Sequence, residues 1–190
     1  MTYKYLLFDQ KKHCMDLSKA FDMVEWEELF LTLPKRKVNP IFLRLIIFIY
    51  RNQQCNVKWN SSLSYKLPVS HGVRQGAVSS PIIFSIYIND LLIILREAGF
   101  GCHVGSFFVG CLGYADDLIL SASRSGLQTM VIICHKFTEK KNLKFSTNPD
   151  ASKPKSKTKC IIFSKKPKDL RNVAPVCLNG DPLPCNVTTP

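Results

Sequence analysis

Two adjacent carboxylates stand between apolar runs in Tyr114-Ala115-Asp116-Asp117, and a further one, Asp16, stands far upstream in Met15-Asp16-Leu17-Ser18-Lys19-Ala20-Phe21-Asp22. Between them lies Gly72-Val73-Arg74-Gln75-Gly76-Ala77-Val78-Ser79-Ser80-Pro81. Carboxylates from separate strands can hold two divalent cations about 3.5–4 Å apart, which clamp the attacking and leaving oxygens of an in-line phosphoryl transfer. Mg²⁺ suits such ligands, because it is a hard cation that takes oxygens and keeps waters and substrate phosphates. Each piece also has a plainer reading. An Asp pair in a turn is most often only a turn former, and Ser18 as a helix cap would account for the surroundings of Asp16. The joint occurrence of both with the glycine-bearing Arg74-Gln75-Gly76 segment favours the chemical reading.

The elements that must position these residues alternate helix and strand. Met15–Phe21 reads as a strand end turning into a helix over Val24–Leu33, which has acids near its start and ends at Pro34. Asn39-Pro40 supplies a cap and a first-turn proline for a helix over Ile41–Arg51. Gln54–Asn60 and Leu63–Ser70 alternate apolar and polar residues across Asn60-Ser61-Ser62, the pattern of a hairpin. Ser80-Pro81 opens a helix to about Arg96, with Gly99 beyond its end. Phe107–Tyr114 and Leu118–Ala122 read as strands joined by a tight Ala115-Asp116-Asp117 turn. Leu127, Met130, Val131, Cys134 and Phe137 recur on one face of a helix over Ser125–Lys141. Leu143–Ser146 and Cys160–Ser164 read as strands around a polar loop, and Asn179-Gly180 is a hairpin-turn signal.

At 190 residues the chain can bury one sizeable core. Its 46% hydrophobic and 21% charged composition is that of a globular protein. The net charge of +12 points to a polyanionic partner, nucleic acid before membrane surface. From Lys140 onward there are 11 Lys or Arg against three acids. That basic stretch is equally a phosphate contact and a solvated loop. None of the eight cysteines forms a CxxC pair. Zinc sites usually use such pairs, so reduced buried thiols in an intracellular protein are expected. The apolar runs Ile41–Tyr50 and Ile82–Leu95 are broken by polar residues and fall short of the roughly 20 residues of a membrane span, so no membrane partner is expected.

The three segments, in order, resemble motifs A, B and C of reverse transcriptases. The Ser18-Lys19-Ala20-Phe21-Asp22 wording and Tyr87-Ile88-Asn89-Asp90-Leu91 resemble the non-LTR (LINE-type) retrotransposon branch. Leu143-Lys144-Phe145 with Ser156–Phe163 resembles motif D, and Leu178–Pro184 the approach to motif E, the primer grip. The chain departs from the pattern at His13 and Cys14, where an apolar strand usually leads in, at Ser79 in place of Leu, and at Cys185 in place of Trp.

This resemblance implies an α/β (α+β) polymerase palm, an antiparallel sheet packed against helices. Residues 1–190 would form a palm piece with the fingers largely missing and the thumb and endonuclease absent. The helices over Ile41–Tyr50 and Ile82–Leu95 would then leave an apolar patch uncovered. The implied activity is that of an RNA-directed DNA polymerase, a nucleotidyltransferase acting in target-primed retrotransposition. Asp16, Asp116 and Asp117 would hold two Mg²⁺ ions, with Mn²⁺ as a substitute, and would converge although far apart in sequence. Phe21 would be the steric gate that excludes a 2′-OH. Arg74 and Gln75 would line the incoming-nucleotide pocket, with Gly76 allowing close backbone approach, and Lys157 would lie near the leaving pyrophosphate. Partners would be RNA template, DNA primer and dNTP, in the cytoplasm and nucleus. The alternative is a decayed or truncated copy that retains only nucleic-acid binding. A viral RNA-dependent RNA polymerase palm is disfavoured by Phe21, since a ring at the sugar 2′ position opposes ribonucleotides.

Overall fold

The computed structural model describes residues 11–145, 158–163, 175–183 and 185–188. In chain order the elements are β1 (Lys11–Ser18), α1 (Trp26–Lys35), α2 (Pro40–Arg51), β2 (Gln54–Cys55), β3 (Lys58–Trp59), β4 (Ser62–Leu63), β5 (Leu67–Pro68) and α3 (Ser80–Glu97). There follow β6 (His103–Val104), β7 (Phe107–Phe108), β8 (Cys111–Tyr114), β9 (Asp117–Ala122), α4 (Arg124–Lys140), β10 (Lys144–Phe145), β11 (Lys159–Phe163), β12 (Cys177–Leu178), β13 (Asp181–Pro182) and β14 (Cys185–Thr188). They form two compact units, Lys19–Tyr87 and the remainder, and α3 passes from one to the other.

The larger unit is built on a six-stranded sheet in the order β14-β11-β1-β9-β8, with β10 also pairing β1. The strand β1 is its centre. One edge pairs antiparallel with β9, and the other pairs with β11 along Lys11–Cys14 and with β10 at Leu17 and Ser18. The sheet departs from the antiparallel expectation at one edge, where β14 runs parallel to β11. A parallel neighbour needs a crossover of a dozen residues or more, and the 164–184 connection is long enough. The helix α4 supplies the cover. Ser123 caps it, with the Oγ accepting from Gly126 N at 3.4 Å. Its expected face of Leu127, Met130, Val131, Cys134 and Phe137 is buried, as are Met15, Leu118 and Leu120 of the sheet.

The smaller unit packs α1 on α2. Trp26 and Tyr50 meet edge to face at 5.5 Å, and the Asn39 side chain accepts from Ile41 N at 2.8 Å, so the cap does its expected work. The helix α1 runs one residue past Pro34, which costs only a last-turn hydrogen bond. The opposite face of α2 exposes Ile41, Phe42, Leu45, Phe48 and Ile49, whereas most of the apolar residues of α3 are buried. The anticipated apolar patch therefore lies on α2. Asn60, at φ 52, turns β3 into β4. A short hairpin of β6 and β7 about Gly105 was not anticipated; it splits the longer strand expected over Phe107–Tyr114. No helix among the described residues is long and apolar enough to cross a membrane.

Candidate functional site

The pairing of β1 with β9 sets Asp16 directly opposite Asp117. Such partners lie about 4.5–5.5 Å apart at Cα. The backbone supports the register beyond this pair, since Leu17 N donates to Asp116 O at 3.4 Å. Strand pairing thus closes the long sequence gap between Asp16 and Asp117, with Asp116 in the adjoining turn.

The turn that carries Asp116 is tighter than the sequence implied. Tyr114 pairs with Asp117, so the turn is the two residues Ala115-Asp116, and Asp117 is already strand. Ala115 takes φ 51, the left-handed region that a two-residue hairpin turn requires at its first position. A non-glycine residue there is strained, and such strain gathers at functional sites. The result exposes Asp117 and half-exposes Asp116 beside Tyr114, which is 84% exposed. Gly113 admits the flank of α3, because a Cβ on it would meet Leu92 Cδ1 at 3.3 Å. Asp16 enters through its backbone position. Among the described side chains, no three potential metal-ligating residues cluster.

In the smaller unit, Arg74, Gln75 and Gly76 form an exposed loop bound to the segment that follows Lys19. Gly72 N donates to Val24 O at 2.8 Å and Val73 N to Phe21 O at 2.7 Å. The Trp26 indole N–H donates to Gly72 O at 2.7 Å, and Gln75 Nε2 donates to Asp22 Oδ1 at 2.8 Å. Ser80 Oγ donates to Arg74 O and holds the loop to the start of α3. The approach of two backbones occurs at Gly72, where a Cβ would lie 3.0 Å from Asp22 O. Gly76 has open space around it and is needed for its φ of 82. Phe21 is half-buried with its ring 5.0 Å from that of Phe84. Asp22, Trp26 and Gly72 are site-building residues that motif reading passed over. The signal available for Asp22 was its place within Ala20-Phe21-Asp22.

Lys157, and the Lys153 and Lys155 beside it, lie outside the described residues. Elsewhere in the larger unit, the Gln128 amide pairs with both backbone groups of Cys177 at 2.9 Å. This fixes the β12–β13 hairpin, whose Asn179-Gly180 turn has φ of 54 and 89, the two positive values of a type I′ turn.

A family model for reverse transcriptase (RNA-dependent DNA polymerase) matches residues 9–151. The chain belongs to the reverse transcriptase family. It is 33% identical over 115 residues, 60% of its length, to the Retrovirus-related Pol polyprotein from type-1 retrotransposable element R2 of Nasonia vitripennis. It is 36% identical over 110 residues, 57% of its length, to the Transposon TX1 uncharacterized 149 kDa protein of Xenopus laevis. A third relative, the polyprotein from type-2 retrotransposable element R2DM of Drosophila melanogaster, is 30% identical over 118 residues, 62% of the chain. The matched segments amount to 11%, 8% and 11% of those relatives' lengths, so the chain spans about a tenth of each. The non-LTR resemblance read from the motifs agrees with these relatives.

Proposed function

We propose that the chain is the palm of an RNA-directed DNA polymerase that joins dNMP to a primer 3′-OH during retrotransposition. The observation that carries this reading is the Asp16–Asp117 pairing beside the strained turn that bears Asp116. Family membership supports the same chemistry. In the reaction, the primer 3′-oxygen bonds to the α-phosphorus as the bond to the bridging oxygen breaks. Pyrophosphate leaves, and the hydroxyl proton passes to solvent.

Asp16, Asp116 and Asp117 would hold the two Mg²⁺ ions, or Mn²⁺; all three are oxygen donors, which fits a hard cation. When bound, the ions supply charge stabilisation at the attacking and leaving oxygens. Phe21 presents a ring against the nucleotide sugar, braced by Phe84. Arg74 offers a guanidinium to phosphate and Gln75 an amide held by Asp22. Lys157 would neutralise charge on the leaving pyrophosphate. The template is RNA and the primer DNA, with the lysines after residue 140 on phosphates, and the setting is cytoplasm and nucleus.

The test is primer extension on an RNA template, by this chain and by the same chain within a polyprotein of its relatives' length. Asp116→Asn should abolish incorporation and leave nucleic-acid affinity largely unchanged. Neutralising Lys153, Lys155 and Lys159 should instead weaken binding and flatten its salt dependence, by roughly one unit of slope per lost phosphate contact. If the unaltered polyprotein binds but never extends with Mg²⁺ or Mn²⁺, the chain is a nucleic-acid-binding remnant.

A further inference from the structure

The ribbon of β3 and β4 in the smaller unit has no buried face. Val57 is 55% exposed, Trp59 78%, Leu63 68% and Tyr65 80%. The pairing Trp59↔Ser62 sets the indole beside a small residue that cannot cover it, while Lys58 pairs with Leu63. An isolated two-stranded hairpin is marginal in water. This one is pinned by polar bonds centred on Ser64. Ser64 Oγ accepts from Val57 N at 2.9 Å and donates to Tyr65 O at 2.8 Å. Asn56 Nδ2 donates to Ser64 O at 2.8 Å, and Ser64 N donates to Val57 O at 2.9 Å. The pins hold a shape and leave the rings to solvent.

Along the stretch of chain that carries the ribbon, the charge has one sign. From Leu29 to Asn89 the chain has eight Lys or Arg and no Asp or Glu. Within the ribbon each exposed aromatic adjoins an exposed lysine, as Lys58-Trp59 and Tyr65-Lys66. A protein-binding core is depleted of lysine. Exposed aromatics beside cations, in a stretch of chain free of carboxylates, match the stacking platform and phosphate contacts of a single-strand binder.

We propose that the Gln54–Pro68 ribbon binds single-stranded nucleic acid, with Trp59 and Tyr65 stacking on bases and Lys58 and Lys66 contacting phosphates. This rests on the polymerase reading, for which the strand is the unpaired template. Unpaired strands offer the base faces that a duplex conceals.

Tryptophan emission tests it in the full chain, because Trp26 is buried with its indole N–H bonded to Gly72. A mixed-sequence single-stranded RNA, added without dNTP, should quench emission, and Trp59→Phe should remove that quench. Trp59→Ala and Tyr65→Ala should each weaken binding about tenfold. Lys58→Gln with Lys66→Gln should lower the salt slope by roughly one to two units. Circular dichroism should be unchanged, since these side chains are exposed. No quench at saturating RNA overturns the proposal. So does a Trp59 emission that follows protein concentration and ignores RNA, which would mark the ribbon as a protein contact. If extension fails while the quench persists in both the unaltered chain and Asp116→Asn, the polymerase reading falls and the ribbon stands. If extension proceeds while Trp59→Ala binds normally, the ribbon alone falls.

Discussion

The amide of Gln75 donates a 2.8 Å hydrogen bond to the carboxylate of Asp22 across 53 residues of chain. It belongs to a seam that also holds the backbone bonds of Gly72 and Val73 to Val24 and Phe21 and the Trp26 indole bond to Gly72. The residue expected to meet the incoming nucleotide is therefore oriented by the residue next to the expected sugar gate.

Asp22→Leu removes the acceptor and leaves Gln75 free to rotate. Steady-state extension should show KM for dNTP rising several-fold with kcat less affected. Asp22→Asn keeps an acceptor oxygen and should restore most of the affinity. Because the bond is exposed, stability should fall by no more than about 1 kcal/mol.

Gly72 and Gly76 separate two reasons for glycine within one loop. Gly76→Ala meets open space and suffers only its φ of 82, so it should cost about 1–2 kcal/mol in urea denaturation. Gly72→Ala suffers φ 87 and also the backbone of Phe21 and Asp22, and should cost about 2–5 kcal/mol. Equal costs for the two would show that the seam yields.

Burial pushes the Tyr87 phenol up to about 12, with the Glu28 and Glu25 carboxylates adding to the shift. Burial also raises Tyr50 and the Cys134 thiol. As pH rises past the ordinary tyrosine value near 10, the unfolded chain releases this proton first. The stabilisation is full below that pH and is lost as pH climbs towards about 12. Urea midpoints should fall across this window, and Tyr87→Phe should make the fall shallower. An unchanged slope would remove Tyr87 from the account.

Local features were legible wherever a few adjacent residues dictate a backbone state. Asn39-Pro40 starts α2, Asn179-Gly180 makes its turn, and the period of Leu127 to Phe137 gives the buried face of α4. Each depends on dihedral preference or spacing within about four turns of chain. Boundaries were less legible. The expected three-residue turn at Ala115 contracted to two, because Tyr114↔Asp117 pairing draws Asp117 into β9.

By itself the sequence determined residue types and their order along the chain: the three carboxylates and the Arg74-Gln75-Gly76 segment between them. Only the tertiary structure decided that Asp16 lies opposite Asp117, that β14 joins β11 in parallel, and that Asp22 holds Gln75. The reason is physical. Residue types and local spacing are properties of short segments, whereas register is chosen when β1 finds the partners that bury Met15 and Leu17. A slip of one residue would turn both to the opposite face, so the core that buries them also sets where Asp16 stands.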